Sequence, residues 1–206
     1  MAQTIQAGNV NIRDLIEQFG LQLVQEGQFF WEWQQDLPDI TPSEREFLDK
    51  VKAGYLNLVI DPPFLEKPVQ IAILSPMLHL GDFFLPPFRL RAEHSIEIVA
   101  EDEGTVIRGQ LDILLMKEQF WVMAIESKRF SFSIEAGLAQ LLSYMLANPH
   151  PTKPGFGMIV TGGTFVFVKL VKDTVSQYAV SDEFATRNRG NDLYEVFRIL
   201  KRFGQL

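Results

Sequence analysis

Cysteine is absent from all 206 residues. That excludes a disulfide framework, thiolate zinc sites and cysteine nucleophiles. Histidine is scarce, with only His79, His94 and His150, too widely spaced to suggest a shared metal site. No apolar run approaches the length of a membrane span, so no membrane partner is expected. The opening Met1-Ala2-Gln3-Thr4 has neither a basic cluster nor a long apolar core. No signal peptide is therefore expected, and a cytoplasmic location is. A surplus of base is missing too: 19 Lys and Arg stand against 26 Asp and Glu, a net charge of -7. This argues against a free-standing basic nucleic-acid binder, which needs surplus cations to displace counterions from phosphate.

What is present suits a folded chain. Hydrophobic residues make up 47% and charged residues 22%, enough to bury a core. The acid is unevenly spread. Residues 1–105 hold 7 basic and 17 acidic residues, whereas 106–206 hold 12 and 9, a balance of +3. No internal repeat or low-complexity segment is visible.

Apolar residues recur at helical steps over 11–25, with Ile12, Leu15, Ile16, Phe19 and Leu23. Ser43 with Glu46 reads as a capping box for a second helix. Pro62 and Pro63 break the chain, and a third helical stretch covers about 64–80. Pro68 fits there only in the first turn, and Pro76 should kink or end it. Strands follow at Ser95–Val99, Val106–Met116 and Phe120–Lys128, the last two joined by a turn at Lys117–Gln119. Residues 133–147 return to helical period. Gly157–Thr161 and Phe165–Leu170 flank a Gly162-Gly163 hairpin turn, Val175–Val180 is another strand, and 191–203 form a closing helix. The expected architecture is a mixed α/β domain over 61–206, preceded by a helical extension over 1–60.

The informative stretch is Gly109–Tyr144. Asp112 lies within an otherwise apolar strand, where a carboxylate is costly to bury. Glu126 and Lys128 are two apart on the next strand and share a face. If these strands form a hairpin, two carboxylates and an ammonium meet at one end of a buried sheet. Close carboxylates repel unless a cation neutralises them, and Mg²⁺ suits a few carboxylate oxygens plus water and phosphate. Gln140 and Tyr144 lie four apart on one face of the following helix, with Ser133 and Gly137, opposite an Ile134/Leu138/Leu141/Met145 stripe.

Each of these residues also has an ordinary reading. Asp112 can be a structural partner of Lys128. Glu126 and Lys128 can be solvated residues of an edge strand, and Gln140 and Tyr144 the surface of an amphipathic helix. The aromatic set Phe29, Phe30, Trp31 and Trp33 reads as core or an interface anchor. No nucleophile elbow, dinucleotide fingerprint or zinc motif supports a small-molecule enzyme.

Taken together, Asp112, Glu126-Ser127-Lys128 and Gln140-x-x-x-Tyr144 resemble the PD-(D/E)xK nuclease superfamily, in its RecB-like branch. The wording Arg108-Gly109-Gln110-Leu111-Asp112, Ile125-Glu126-Ser127-Lys128-Arg129 and Gln140-Leu141-Leu142-Ser143-Tyr144-Met145 is similar to the N-terminal nuclease domain of type I restriction enzyme R subunits. It is also similar to stand-alone relatives common in cyanobacteria. The resemblance covers roughly 60–203 and departs at Leu111, where the family has proline. It implies a restriction-endonuclease-like core, extended here by further C-terminal strands and a helix. It also implies a Mg²⁺- or Mn²⁺-dependent endonuclease, a hydrolase of DNA phosphodiester bonds. Asp112 and Glu126 would be metal ligands and Lys128 the catalytic lysine, with Gln140 and Tyr144 accessory. Many relatives add an acidic ligand from the first core helix. Glu66 is the best-placed candidate and Glu93, at the start of the first strand, the second; Glu66 otherwise reads as an acid favoured at a helix start. DNA is the implied partner, with a homodimer or another protein subunit alongside. The alternative is a catalytically inactive interaction module on the same fold.

Overall fold

A computed structural model describes residues 3–60, 66–99, 105–118, 120–128, 133–150, 153–161 and 163–206. Pro62-Pro63, Gln119, Arg129 and Gly162 lie outside the described residues, as do the side chains of Glu66 and Lys128.

Local chemistry sets the helix ends. Helix α1 (Ile12–Phe19) begins at Asn11, whose side chain accepts from Asp14 N at 3.0 Å, while Asp14 accepts from Asn11 N at 3.0 Å. It is shorter than the 11–25 periodicity suggests, because Gly20 takes a left-handed φ of 62° and ends it. Helix α2 (Pro42–Leu58) is capped by Thr41 with Glu44, not by Ser43 with Glu46. Pro42 decides this: its missing N–H belongs in the first turn, so the cap is the residue before it. The third stretch is α3 (Glu66–Val69), a π turn (Gln70–Leu74) and α4 (Ser75–Leu80). Pro68 sits in the first turn as expected. Pro76 does not stop the chain; the widened turn before it takes up the irregularity, and the helix ends at Leu80.

The sheet is built on an antiparallel run of β3 (Phe88–Val99), β4 (Thr105–Lys117) and β5 (Phe120–Lys128). Helix α5 (Ile134–Leu146) leads to β6 (Gly155–Thr161), which lies parallel to β5. Then β7 (Thr164–Lys172) and β8 (Ser176–Val180) continue the sheet, a short β9 (Phe184–Ala185) pairs with β7, and α6 (Leu193–Gln205) closes the chain. The first sixty residues are not wholly helical. They supply β1 (Gln3–Gln6), parallel to β4, and β2 (Gln22–Leu23), parallel to β8. Strands of four and two residues carry too little alternation to be read from sequence. The order is β1-β4-β5-β6-β7-β8-β2, with β3 on the other edge of β4.

This mixed α/β fold has three layers. On one face, α2, the α3–α4 run and α6 bury Leu48, Ile73, Met77, Phe197 and Phe203 against Met123, Ile125 and Phe167. On the other face, α1 and α5 bury Leu15, Leu141 and Leu142 against Ile107, Leu111, Leu114 and Ile159. No helix among the described residues is long and apolar enough to cross a membrane.

The β6–β7 turn is tight. Gly163 has φ 96°, and a Cβ there would lie 2.6 Å from the ring of Tyr55, which is fully buried and cannot retreat. Gly163→Ala should therefore cost about 1–3 kcal/mol through overpacking and backbone strain. Chemical denaturation measures this, and a loss within about 0.5 kcal/mol would contradict the packing described.

Candidate active site

One edge of β4 changes partner along its length. β1 pairs with Thr105–Arg108 and β5 pairs with Ile113–Lys117. Between them, Gly109, Gln110 and Leu111 are paired only with Ile96, Ser95 and His94 of β3 among the described pairs. The β4–β5 ladder stops at Ile113–Ile125, one step before Asp112 and Glu126 would face each other. The sheet opens there, with one of these carboxylates on each side of the opening.

Both lie on the α5 side. On β5, Met123 and Ile125 face the opposite core and Ala124 faces α5, so alternation puts Glu126 with Ala124. On β4, Leu111 and Leu114 face α5 while Ile113 and Leu115 face away. Alternation therefore slips by one residue at Asp112, and counting back from Leu114 puts Asp112 under α5. Glu126 is 1% exposed and Asp112 half-buried. Across from Asp112 on β3, Glu93 takes φ 52° and leaves the ladder, its carbonyl accepting from Gln110 Nε2 at 2.9 Å. Glu93 is thus mid-strand and exposed, not at a strand start, because β3 begins at Phe88.

Helix α5 starts at Ser133, whose hydroxyl accepts from Ala136 N at 3.3 Å. Gln140 and Tyr144 share a face, as their spacing predicts, but that face is buried, with Tyr144 only 2% exposed. The sequence misleads because another layer covers it: α1 and the tight turn at Ala7–Asn9 pack on α5. Gln140 Nε2 donates to Tyr144 Oη at 2.7 Å, and Tyr144 Oη donates to the Gln110 carbonyl at 3.1 Å. That carbonyl lies in the stretch of β4 that has lost its neighbour. Burial first, and then the charges of Glu126 and Asp112, push the Tyr144 phenol up to about 12. The phenol is a donor at neutral pH and not a base.

Two contributors were missed. Gly109 makes room for Tyr144: a Cβ there would lie 2.7 Å from the phenol oxygen and 2.6 Å from Ala7 Cβ. A glycine inside a strand is the trace this leaves in a sequence. The Ala7–Asn9 turn leaves none; a Cβ on Gly8 would lie 4.0 Å from Gln140 Oε1.

Of the six residues expected at the site, the structure gathers Asp112, Glu126, Gln140 and Tyr144. Lys128 has its backbone in β5 opposite Thr161, and the helix that Glu66 opens lies near β5 and β6. Two carboxylates on the sides of an opening fit a hard cation that needs few protein oxygens, as Mg²⁺ does. Among the described residues, no group of three or more His, Asp or Glu could hold a metal ion.

No family model and no curated protein matches the chain. One solved structure, "Crystal structure of SSO0001", is similar at 14% identity over 81% of this chain and 86% of that one, with a TM-score of 0.26. A likeness so slight carries no argument.

Two outcomes follow from the Tyr144 environment. The phenol stays protonated in the folded state above the ordinary tyrosine range. Stability from this group is therefore complete below pH about 10 and is lost as pH rises toward about 12. Denaturation across that window should show a smaller loss for Tyr144→Phe than for the parent. Separately, Gly109→Ala should destabilise by about 1–3 kcal/mol, since neither Ala7 nor Tyr144 has space to move. Unchanged thermal melting in Gly109→Ala would refute the close approach.

Proposed function

We propose that the chain is a metal-dependent nuclease of the PD-(D/E)xK kind, hydrolysing phosphodiester bonds of DNA. The observation that carries this is the parting of β4 and β5 at Asp112 and Glu126, with both carboxylates on one side of the sheet. Such a pair is costly without a cation, and a divalent ion answers that cost. Asp112 and Glu126 would hold Mg²⁺ or Mn²⁺, and Glu66 is kept as a third candidate. The ion, when bound, would polarise the phosphate and lower the pKa of water. Lys128, two residues beyond Glu126, would offset negative charge as it builds on the phosphate. Gln140 and Tyr144 act on position: they tie α5 to Gln110 and so fix the strand that carries Asp112. DNA is the proposed partner, and a second copy or another subunit would bring two such sites to two strands.

The deep burial of Glu126, at 1% exposure, favours a second reading, a scaffold that keeps the fold without catalysis. Calorimetry with Mg²⁺ separates the two. Binding that disappears in Asp112→Ala supports the nuclease, and no binding by a folded protein supports the scaffold.

On the nuclease reading, the protein nicks supercoiled DNA with Mg²⁺ or Mn²⁺. Lys128→Ala and Asp112→Ala should each lose at least about a hundredfold in rate, the usual weight of a group stabilising transition-state charge. Equal nicking by folded Lys128→Ala would refute it.

A further inference from the structure

Lys169, Lys172, Arg198 and Lys201 are each held by carbonyls or carboxylates of the chain itself. Arg89 and Arg91 differ. They lie two residues apart near the start of β3, and both are exposed. Neither makes a hydrogen bond or ion pair among the described residues. β3 pairs with β4 and with no other strand among the described residues, so its outer edge is open.

Register fixes the face these arginines take. Residues directly opposite each other on paired strands point to the same side of the sheet. Leu90 lies opposite Leu115, and both pack in the core away from α5. Arg89 and Arg91 lie opposite Met116 and Leu114, which pack on the α5 side. The arginines therefore project on the side that carries Asp112 and Glu126. Burial and then the charge of Arg91 push the His94 pKa down, which puts that guanidinium near the imidazole. His94 lies opposite Leu111, again on the α5 side.

The distortion at Glu93 brings this about. Beyond it, His94, Ile96 and Ile98 face α5, and Ser95 and Glu97 alternate with them. Before it, the residues that face α5 are Arg89 and Arg91. The left-handed φ of 52° at Glu93 absorbs this slip of one residue. In a regular strand the arginines would share the face of Ser95 and Glu97, opposite the carboxylates.

The spacing suits a polyanion. Two residues along a strand cover about 6.6 Å, close to the separation of neighbouring phosphates on one nucleic-acid strand. Leu114 and Met116 are two and four residues beyond Asp112, so the Cα atoms of Arg91 and Arg89 lie roughly 8 and 14 Å from that of Asp112. Exposed Glu93 stands between and lowers the local surplus of positive charge. The arginines therefore position a strand and do not bind it unaided.

We propose that Arg89 and Arg91 are the phosphate-binding arm of the same site, each holding one of two successive phosphates beside the scissile bond of duplex DNA. This rests on the nuclease reading for the place of the scissile phosphate. It goes beyond that reading in saying where the rest of the strand lies.

The test is fluorescence anisotropy of a labelled DNA duplex of mixed sequence with the full chain. Ca²⁺ replaces Mg²⁺, and KCl is varied. Arg89→Ala and Arg91→Ala should each weaken binding about three- to tenfold. Each should also reduce the slope of log affinity against log salt by about 0.9, the counterion release of one phosphate contact. Arg91→Lys keeps the charge and should keep the slope. Arg45→Ala removes the same charge from exposed α2 surface on the opposite side of the sheet and should leave the slope as it is. In nicking assays with Mg²⁺, the two alanine variants should raise KM more than they lower kcat. The proposal is overturned if both folded alanine variants keep the parent's slope, or if Arg45→Ala reduces it as much. Its failure is distinct from that of the nuclease reading. A parent that nicks DNA, with both arginine variants keeping its KM, sinks the arginine arm alone. The expected loss of slope without nicking by the parent upholds the arm and sinks the catalysis. A parent that neither binds nor nicks sinks both.

Discussion

A strand cannot leave its neighbour without stranding backbone donors and acceptors, and buried ones must find new partners. β4 leaves β5 at Asp112 and does not meet β1 until Arg108. The Gln110 carbonyl in that interval is taken by the Tyr144 hydroxyl at 3.1 Å. Much else depends on this one bond. It needs Tyr144 close to the sheet, which needs Gly109. It needs the hydroxyl turned toward β4, and the donation from Gln140 at 2.7 Å leaves the Tyr144 proton free to point there. It needs α5 pinned along its length, and both ends are held. Ser133 caps the start, and Lys172 donates to the carbonyls of Leu146 and Asn148 at 2.7 and 2.9 Å at the finish.

The same opening makes the carboxylates possible. Inside a continuous ladder, Asp112 and Glu126 would be neighbours on adjoining strands, where like charges destabilise. Parting the strands relaxes that constraint. The slip in alternation at Asp112 belongs to the same distortion: Leu111 and Leu114 both reach the α5 core, and the intervening Asp112 is turned to the same side. Glu93, with its left-handed φ of 52°, marks the distortion on β3. The geometry that positions the two carboxylates is a fault shared by three strands.

How legible this was depended on the range of the interaction. β5 occupies the residues its apolar run implies, and α5 is within a residue of its expected ends, because periodicity is local. The pairing of β4 with β5 follows from a short turn between them. What sequence could not give came from contacts distant along the chain. The N-terminal turn at Ala7–Asn9 buries a helix face that looks polar and exposed in isolation. β1 and β2 are too short to be read from their own residues, and each is defined by its pairing at a sheet edge, with β4 and with β8. The Thr41 cap was recoverable in principle, since Pro42 names the first helical residue. The opening between β4 and β5 had one visible trace, a glycine and a carboxylate three apart just before the apolar run Ile113–Met116.

The uneven charge has a structural meaning that composition alone conceals. The acidic front half does not stand apart from the mildly basic back half; the two are stitched together. Glu32 pairs with Lys169, Glu44 with Lys201 at 2.9 Å, and Asp36 approaches Arg202 at 4.0 Å. Arg198 donates to the carbonyls of Leu37 and Pro38, and Lys52 reaches back to Asn188 and Gly190. Glu32–Lys169 is buried, and the more exposed contacts among these contribute little stability each. Their larger effect is to occupy cations. Lys169, Lys172, Arg198, Lys201 and Arg202 are all engaged within the protein, so the +3 of the back half overstates the charge offered to an anionic partner. A nuclease on this fold cannot rely on a broad basic surface to hold DNA. It would have to draw its phosphate affinity from the site itself, where a divalent ion between the two carboxylates would supply positive charge.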